Sequence, residues 1–160
     1  MVCLVVMGVS GCGKSRVGAA AAEALGLPLI EGDEFHSEAN RALMREGIPL
    51  TDAHRAAWLD RLGSELSRRR AAVLTCSALK AAYREQLRAA SPGLRFAWLD
   101  LDPVSALARV AQRPEHFFPP SLVATQFDAL EPPSGEAGVL RLDALQPPQE
   151  LAERICRWMR

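Results

Sequence analysis

Along the chain, short apolar runs alternate with longer segments whose apolar residues recur every three or four positions. The first run, 2–7, is continuous and rich in β-branched residues, which predicts a strand buried on both faces. Runs at 28–31, 71–76, 94–99 and 138–142 predict four more strands. Between them, 17–25 is Ala-rich and ends at Gly26, where a helix stop is expected. Residues 38–46 predict a short helix closed by Gly47 and Pro49. Thr51 or Asp52 then caps a longer helix to about residue 70, with Ala56, Leu59, Leu62 and Leu66 on its apolar face. Asp102-Pro103 opens another helix with proline at its first position. Prolines interrupt the pattern at 114–120, helix resumes at 121–130, and a last helix covers 147–159 through Leu151 and Ile155. This alternation predicts an α/β fold whose parallel sheet is covered on both faces. The length suits one domain over 1–160, without repeats or an interdomain linker.

The segment after the first strand gives this pattern a chemistry. Gly8-Val9-Ser10-Gly11-Cys12-Gly13-Lys14-Ser15 matches G-x-x-x-x-G-K-[ST], the P-loop. A strand, a glycine-rich turn and a helix start are the parts a phosphate cradle needs. Glycines let backbone N–H groups turn inward, and the helix dipole adds positive potential. Lys14 can then reach the β- and γ-phosphates of a nucleotide, and the Ser15 hydroxyl can sit on Mg²⁺.

Charge and composition narrow the partners. The formal net charge is zero, which argues against nucleic acid or a membrane surface as the main partner. Arg68-Arg69-Arg70, the tight basic run, reads as cations at a helix C-terminus. No stretch approaches ~18 uninterrupted apolar residues, and the apolar start lacks the basic region of a signal peptide, so neither a membrane span nor a leader is expected. Cys3, Cys12, Cys76 and Cys156 form no C-x-x-C pair, which points to a reducing, cytoplasmic setting. Cys12, beside Lys14, reads as a small loop residue rather than a reactive thiol.

Further candidates stand at strand ends, where polar side chains of an α/β sheet face the ligand crevice. Asp33, after the second strand, is the carboxylate expected opposite the P-loop. His36 serves equally well as a helix-start residue or a ligand. Arg55 lies in the first turn of the long helix. After the third strand, Lys80, Arg84 and Arg88 stand at i, i+4 and i+8, and the first two can clamp an anionic substrate. That strand ends without an acidic residue of the Walker-B type. Arg109 and Arg113, at i and i+4 beside the proline break, suggest a lid over about 109–120 that brings positive charge to the phosphates. A static helical hairpin would carry the same pattern.

Together these motifs resemble the gluconate kinases (gluconokinases), small P-loop kinases related to shikimate and adenylate kinases. The resemblance rests on Met7 and the P-loop, Glu31-Gly32-Asp33-Glu34-Phe35-His36, Asn40, Gly47-Ile48-Pro49-Leu50-Thr51-Asp52, and Arg55 with Trp58-Leu59. It continues in Cys76-Ser77-Ala78-Leu79-Lys80, Tyr83-Arg84, Leu87-Arg88, His116-Phe117-Phe118 and Thr125-Gln126-Phe127. Three positions depart from the family pattern. His54 replaces an acidic residue before the arginine, Ala57 a frequent proline before the tryptophan, and Pro119-Pro120 basic residues of the lid.

The resemblance implies a three-layer α/β/α P-loop fold with five parallel strands in the order 2-3-1-4-5 and a helical lid. It implies transfer of the ATP γ-phosphate to O6 of D-gluconate with Mg²⁺. Lys14, Asp33, Arg109 and Arg113 would carry the catalysis. Gly8 to Ser15 would hold the nucleotide, and Ser15 and Asp33 the metal. Asp33, His36, Arg55, Lys80 and Arg84 would hold gluconate, and Glu131-Pro132 would lie near adenine. A kinase for shikimate or another sugar acid, and an ATP-binding module without turnover, remain alternatives, and a homodimer is left open.

Overall fold

The computed structural model of the chain describes residues 2–112 and 119–160. Its strands are β1 (Leu4–Met7), β2 (Leu29–Glu31), β3 (Val73–Thr75), β4 (Arg95–Asp100) and β5 (Val139–Asp143). Its helices are α1 (Lys14–Leu25), α2 (Glu38–Arg45), α3 (Asp52–Ser67), α4 (Ala81–Ala90), α5 (Pro103–Ala111), α6 (Val123–Ala129) and α7 (Pro148–Met159). The strands form one parallel sheet in the order β2-β3-β1-β4-β5, as the resemblance implied. Val5 pairs with Leu74 on one side and Phe96 on the other.

Alternation along β1 explains the layers, because successive side chains of a strand point to opposite faces. Leu4 and Val6 enter a core with Val17 and Ala21 of α1 and Leu151 and Ile155 of α7. Val5 and Met7 enter the opposite core with Trp58, Leu62 and Leu66 of α3 and Leu87 of α4. With both faces covered, the strand has to be apolar at every position, which is why the run reads as continuous. A third, smaller cluster joins Met44 of α2, Leu50 and Leu122 beside the crevice.

Differences from the sequence-based expectations lie at element ends. The long helix stops at Ser67, where Arg68 and Arg69 both pair with Glu65. The expected helix at 121–130 begins as a 3-10 turn, Pro120–Leu122, before α6. Pro120 suits the first position of that turn, because its φ is fixed near the helical value and a first-turn N–H has no partner to lose. Arg113, His116-Phe117-Phe118 and the middle half of the expected lid lie outside the described residues.

Strand order reverses around β1: the chain moves outward to β2, returns to β3, then crosses to β4. A ligand crevice is expected outside the carboxyl ends of strands at such a point. The P-loop begins there, directly after Met7.

Candidate active site

The P-loop bends because Gly8 adopts φ 149°, where a Cβ would lie 2.7 Å from Cys12 Sγ and 2.8 Å from the Leu99 carbonyl. Gly13, with φ 96°, turns the chain into α1. Lys14 Nζ donates to the carbonyls of Gly8 and Val9 at 3.0 and 3.1 Å, which holds the ammonium over the start of the loop. Ser10, Gly11, Gly13, Lys14 and Ser15 form one wall of a cleft.

Asp33 and His36 belong to the opposite wall. A 3-10 turn, Gly32–Phe35, follows β2 and carries Asp33 into the cleft. Trp58 of α3 anchors that turn by donating Nε1–H to the Gly32 carbonyl at 2.8 Å. Gly32 has to be glycine, since a Cβ there would meet the Thr75 carbonyl at 2.1 Å. The Asp33 side chain is exposed and has no hydrogen-bond partner among the described residues.

His36 stacks on Trp58, with centroids 4.1 Å apart and 14° between planes. Burial, above all, pushes its pKa down from 6.5 to about 4, so the ring is neutral near pH 7. Its tautomer follows from its neighbours. The His54 carbonyl only accepts, so the Asn40 group 2.9 Å from it is the amide NH₂. The same NH₂ faces His36 Nδ1 at 3.4 Å, which makes Nδ1 the acceptor and leaves the proton on Nε2.

Arg55 also lines the cleft, and its guanidinium donates to the Tyr83 hydroxyl at 3.3 Å. Lys80 stands next door, in a hollow with Pro49, Asp52, Arg55 and Thr125, and pairs with Asp52 at 2.9 Å. The Tyr83 hydroxyl also donates to Asp52. These two bonds hold the Asp52 carboxyl below the usual range, and Asp52 pushes Lys80 up. Because the hollow shares Arg55 and Thr125 with the cleft, Lys80 borders it without facing the P-loop.

Two expectations are corrected. Arg84 does not face a substrate: its side chain is 0% exposed. Its guanidinium donates to the carbonyls of Ala78, Leu79 and Glu131 and to both carboxylate oxygens of Glu136. Being one turn past Lys80 puts it beneath the strand end, where it ties two loops together. Arg109 lines an adjoining groove with Cys12, Gly13, Leu145, Gln146 and Pro147, which shares Gly13 and Arg16 with the cleft. There it donates to the Gly11 and Ala144 carbonyls at 3.1 and 3.2 Å, which holds it beside the P-loop and outside the cleft lining. Glu131 accepts from the Ala81 N–H at 2.8 Å at the start of α4, and neither it nor Pro132 lines the cleft or this groove.

Two residues near the P-loop carry roles that the sequence did not announce. Glu31 Oε2 accepts from Ser15 Oγ at 3.1 Å and from Thr75 Oγ1 at 2.6 Å. An acidic residue at a strand end was the available signal. A serine hydroxyl and a carboxylate beside a phosphate loop are hard oxygen donors, and this set suits Mg²⁺. Gln126 of α6 accepts from the Ser10 N–H at 2.6 Å, a contact that no local pattern signals.

The comparisons with known proteins agree with this geometry. A family profile described as an AAA domain matches residues 3–133. The gluconokinase of Gluconobacter oxydans (strain 621H) is 42% identical over 158 residues, covering 96% of this chain and 89% of the relative. The thermosensitive gluconokinase of Escherichia coli (strain K12) is 41% identical over 144 residues, covering 87% and 77%. The crystal structure of a gluconokinase from Sinorhizobium meliloti 1021 superposes with a TM-score of 0.88 at 43% identity, covering 99% of this chain and 95% of that one. With a P-loop, an opposing Gly-Asp-x-x-His turn and relatives matched along most of their length, the chain belongs to the gluconokinase family of P-loop kinases.

Proposed function

We propose that the chain transfers the γ-phosphoryl group of ATP to the O6 hydroxyl of D-gluconate, giving ADP and 6-phospho-D-gluconate. The observation that carries this reading is the shared cleft, with Lys14 and Ser15 on one wall and Asp33, His36 and Arg55 on the other. In the transfer, O6 forms a bond to the γ-phosphorus while the bond to the bridging β–γ oxygen breaks. Asp33 accepts a hydrogen bond from the O6 hydroxyl and takes its proton as the new bond forms. Its freedom from other partners among the described residues supports this role. His36 Nε2–H, the neutral donor beside it, and Arg55 hold hydroxyls and the carboxylate of the sugar acid, with Lys80 at the border of the site.

On the donor side, Lys14 neutralises charge on the β- and γ-phosphates, and the P-loop amides cradle them. Mg²⁺ supplies charge neutralisation at the phosphates when bound. Ser15 would hold it, with Glu31, and Asp33 through water, orienting its shell. The groove of Cys12, Gly13, Arg109, Leu145 and Pro147 is the proposed seat of the adenosine end. Arg113 keeps its proposed place at the phosphates on the resemblance alone. No helix among the described residues is long and apolar enough to cross a membrane, and four free cysteines support a reducing cytoplasm as the setting.

The test is ADP release from ATP across a panel of gluconate, other sugar acids and shikimate. Gluconate should give the highest kcat/KM, with a phosphate monoester at C6 by NMR. A higher value for shikimate or another acid would replace gluconate as the substrate, and ADP release independent of any acceptor would remove the kinase assignment.

A further inference from the structure

Gln126 carries an observation that the proposed mechanism does not use. It sits on α6, whose Val123 belongs to the core of Val9, Cys12 and Val110 on the P-loop side, while Leu122 just before this helix packs with Met44 and Leu50. Its side chain bonds Ser10 in the P-loop, 116 positions away, at 2.6 Å. Gln126 is 9% exposed, and the cleft is where that exposure lies.

The orientation of its carboxamide follows from the partner. A backbone N–H only donates, so the atom on Ser10 is Oε1, and the NH₂ is the other arm. Among the described residues no buried side-chain nitrogen or oxygen lacks a partner. Nε2 makes no bond to a described residue, so it opens into the cleft that Gln126 lines. Its place along the P-loop is set by Lys14, whose ammonium lies on the carbonyl of Val9, the residue before Ser10. Lys14 is the residue that reaches the terminal phosphates in a P-loop.

We infer that Gln126 is a γ-phosphate contact: it takes the Ser10 N–H onto Oε1 and presents a donor from Nε2 to the terminal phosphate. A P-loop amide that is already engaged thereby still delivers a hydrogen bond to the nucleotide, through a polarised chain. The inference rests on the reading of the cleft as an ATP site, but not on the identity of the acceptor.

The test compares ATP and ADP affinity by calorimetry, with Mg²⁺ and without acceptor, in the wild type, Gln126→Glu and Gln126→Met. A glutamate still accepts from the Ser10 N–H but meets the γ-phosphate with negative charge. ATP affinity should fall roughly 10-fold or more in Gln126→Glu while ADP affinity changes less than about 2-fold. Gln126→Met, which loses the donor without adding charge, should weaken ATP by about 3-fold or more and again spare ADP. An unchanged ATP-to-ADP ratio in both variants, or equal weakening of both nucleotides, would reduce Gln126 to a structural tether and overturn the inference. Should Gln126→Glu not fold, the ratio in Gln126→Met decides. A wild-type protein that binds neither nucleotide overturns the ATP reading itself, an outcome distinct from the loss of Gln126 alone.

Discussion

Arg84 and Glu136 are joined by two hydrogen bonds, Nε to Oε1 at 3.0 Å and Nη2 to Oε2 at 2.6 Å, across 52 positions of the chain. Arg88 adds a third, to Oε1 at 3.0 Å. The Arg84 guanidinium also closes off the turn at Ala78, which holds φ 47° although it is not glycine. That turn leads out of the Ser77 segment, whose carbonyl accepts from the Gly8 N–H at the mouth of the P-loop.

Arg84→Met is therefore expected to act on stability. Breaking a buried pair costs about 3–5 kcal/mol, which lowers the melting temperature by roughly 10 °C. KM for gluconate and for ATP should move together or not at all. A variant of normal melting temperature with only the gluconate KM raised would return Arg84 to the substrate site.

Glu136 gives the same network a pH dependence. Arg84 first, then Arg88, holds its carboxyl below the usual glutamate range. A carboxyl depressed on folding stabilises fully above its unfolded pKa, and that contribution disappears as pH falls through the folded value. The melting temperature of Glu136→Gln should thus lie furthest below the wild type near neutral pH, and the gap should narrow in acid. A gap of constant size would show that the charge of Glu136 contributes nothing.

His36 predicts an acid sensitivity of its own. The unfolded ring takes a proton near 6.5 but the folded one only near 4, so the unfolded state binds more protons between these values. Stability is full above 6.5 and declines as pH drops toward 4. His36→Phe keeps a flat ring for the stack on Trp58 and removes the titration. Its melting temperature should fall less from pH 6.5 to about pH 4.5 than the wild type's. Parallel profiles would exclude His36 as the cause.

His54 explains one departure from the family pattern. Thr51 and His54 form a capping box: Thr51 Oγ1 accepts from the His54 N–H at 3.3 Å, and His54 Nδ1 accepts from the Thr51 N–H at 3.0 Å. A glutamate at this position would make the same bond and add negative charge to the helix N-terminus. His54→Glu should raise the melting temperature by about 1–3 °C and His54→Ala should lower it by a similar amount. Identical values for all three proteins would mean that the cap contributes nothing to α3.

Asp33→Asn separates chemistry from fold. The side chain is exposed and unbonded among the described residues, so the melting temperature should stay within about 2 °C of the wild type. ATP affinity should survive, because the P-loop supplies it, while kcat falls by ~100-fold or more. A stable variant with near-wild-type kcat would take Asp33 out of the proton transfer.

The sequence by itself determined whatever depends on neighbours along the chain. A P-loop is eight contiguous residues whose backbone turn is written in its glycines, and the apolar runs of β1 and β3 announce a sheet buried on both faces. Asp33 was legible too, because a polar residue following a strand of an α/β sheet falls at the crevice. The tertiary structure alone decided where the cations go. Lys80 and Arg84 share a helical register and a charge, yet Lys80 borders the cleft and Arg84 is sealed against Glu136. It alone also joined Gln126 to Ser10 and Glu31 to Ser15. A charge or an amide reads the same in sequence whether it meets a ligand or a buried partner. The partner's position depends on how distant segments pack, and the cost of leaving a buried polar group unpaired then selects which contact forms.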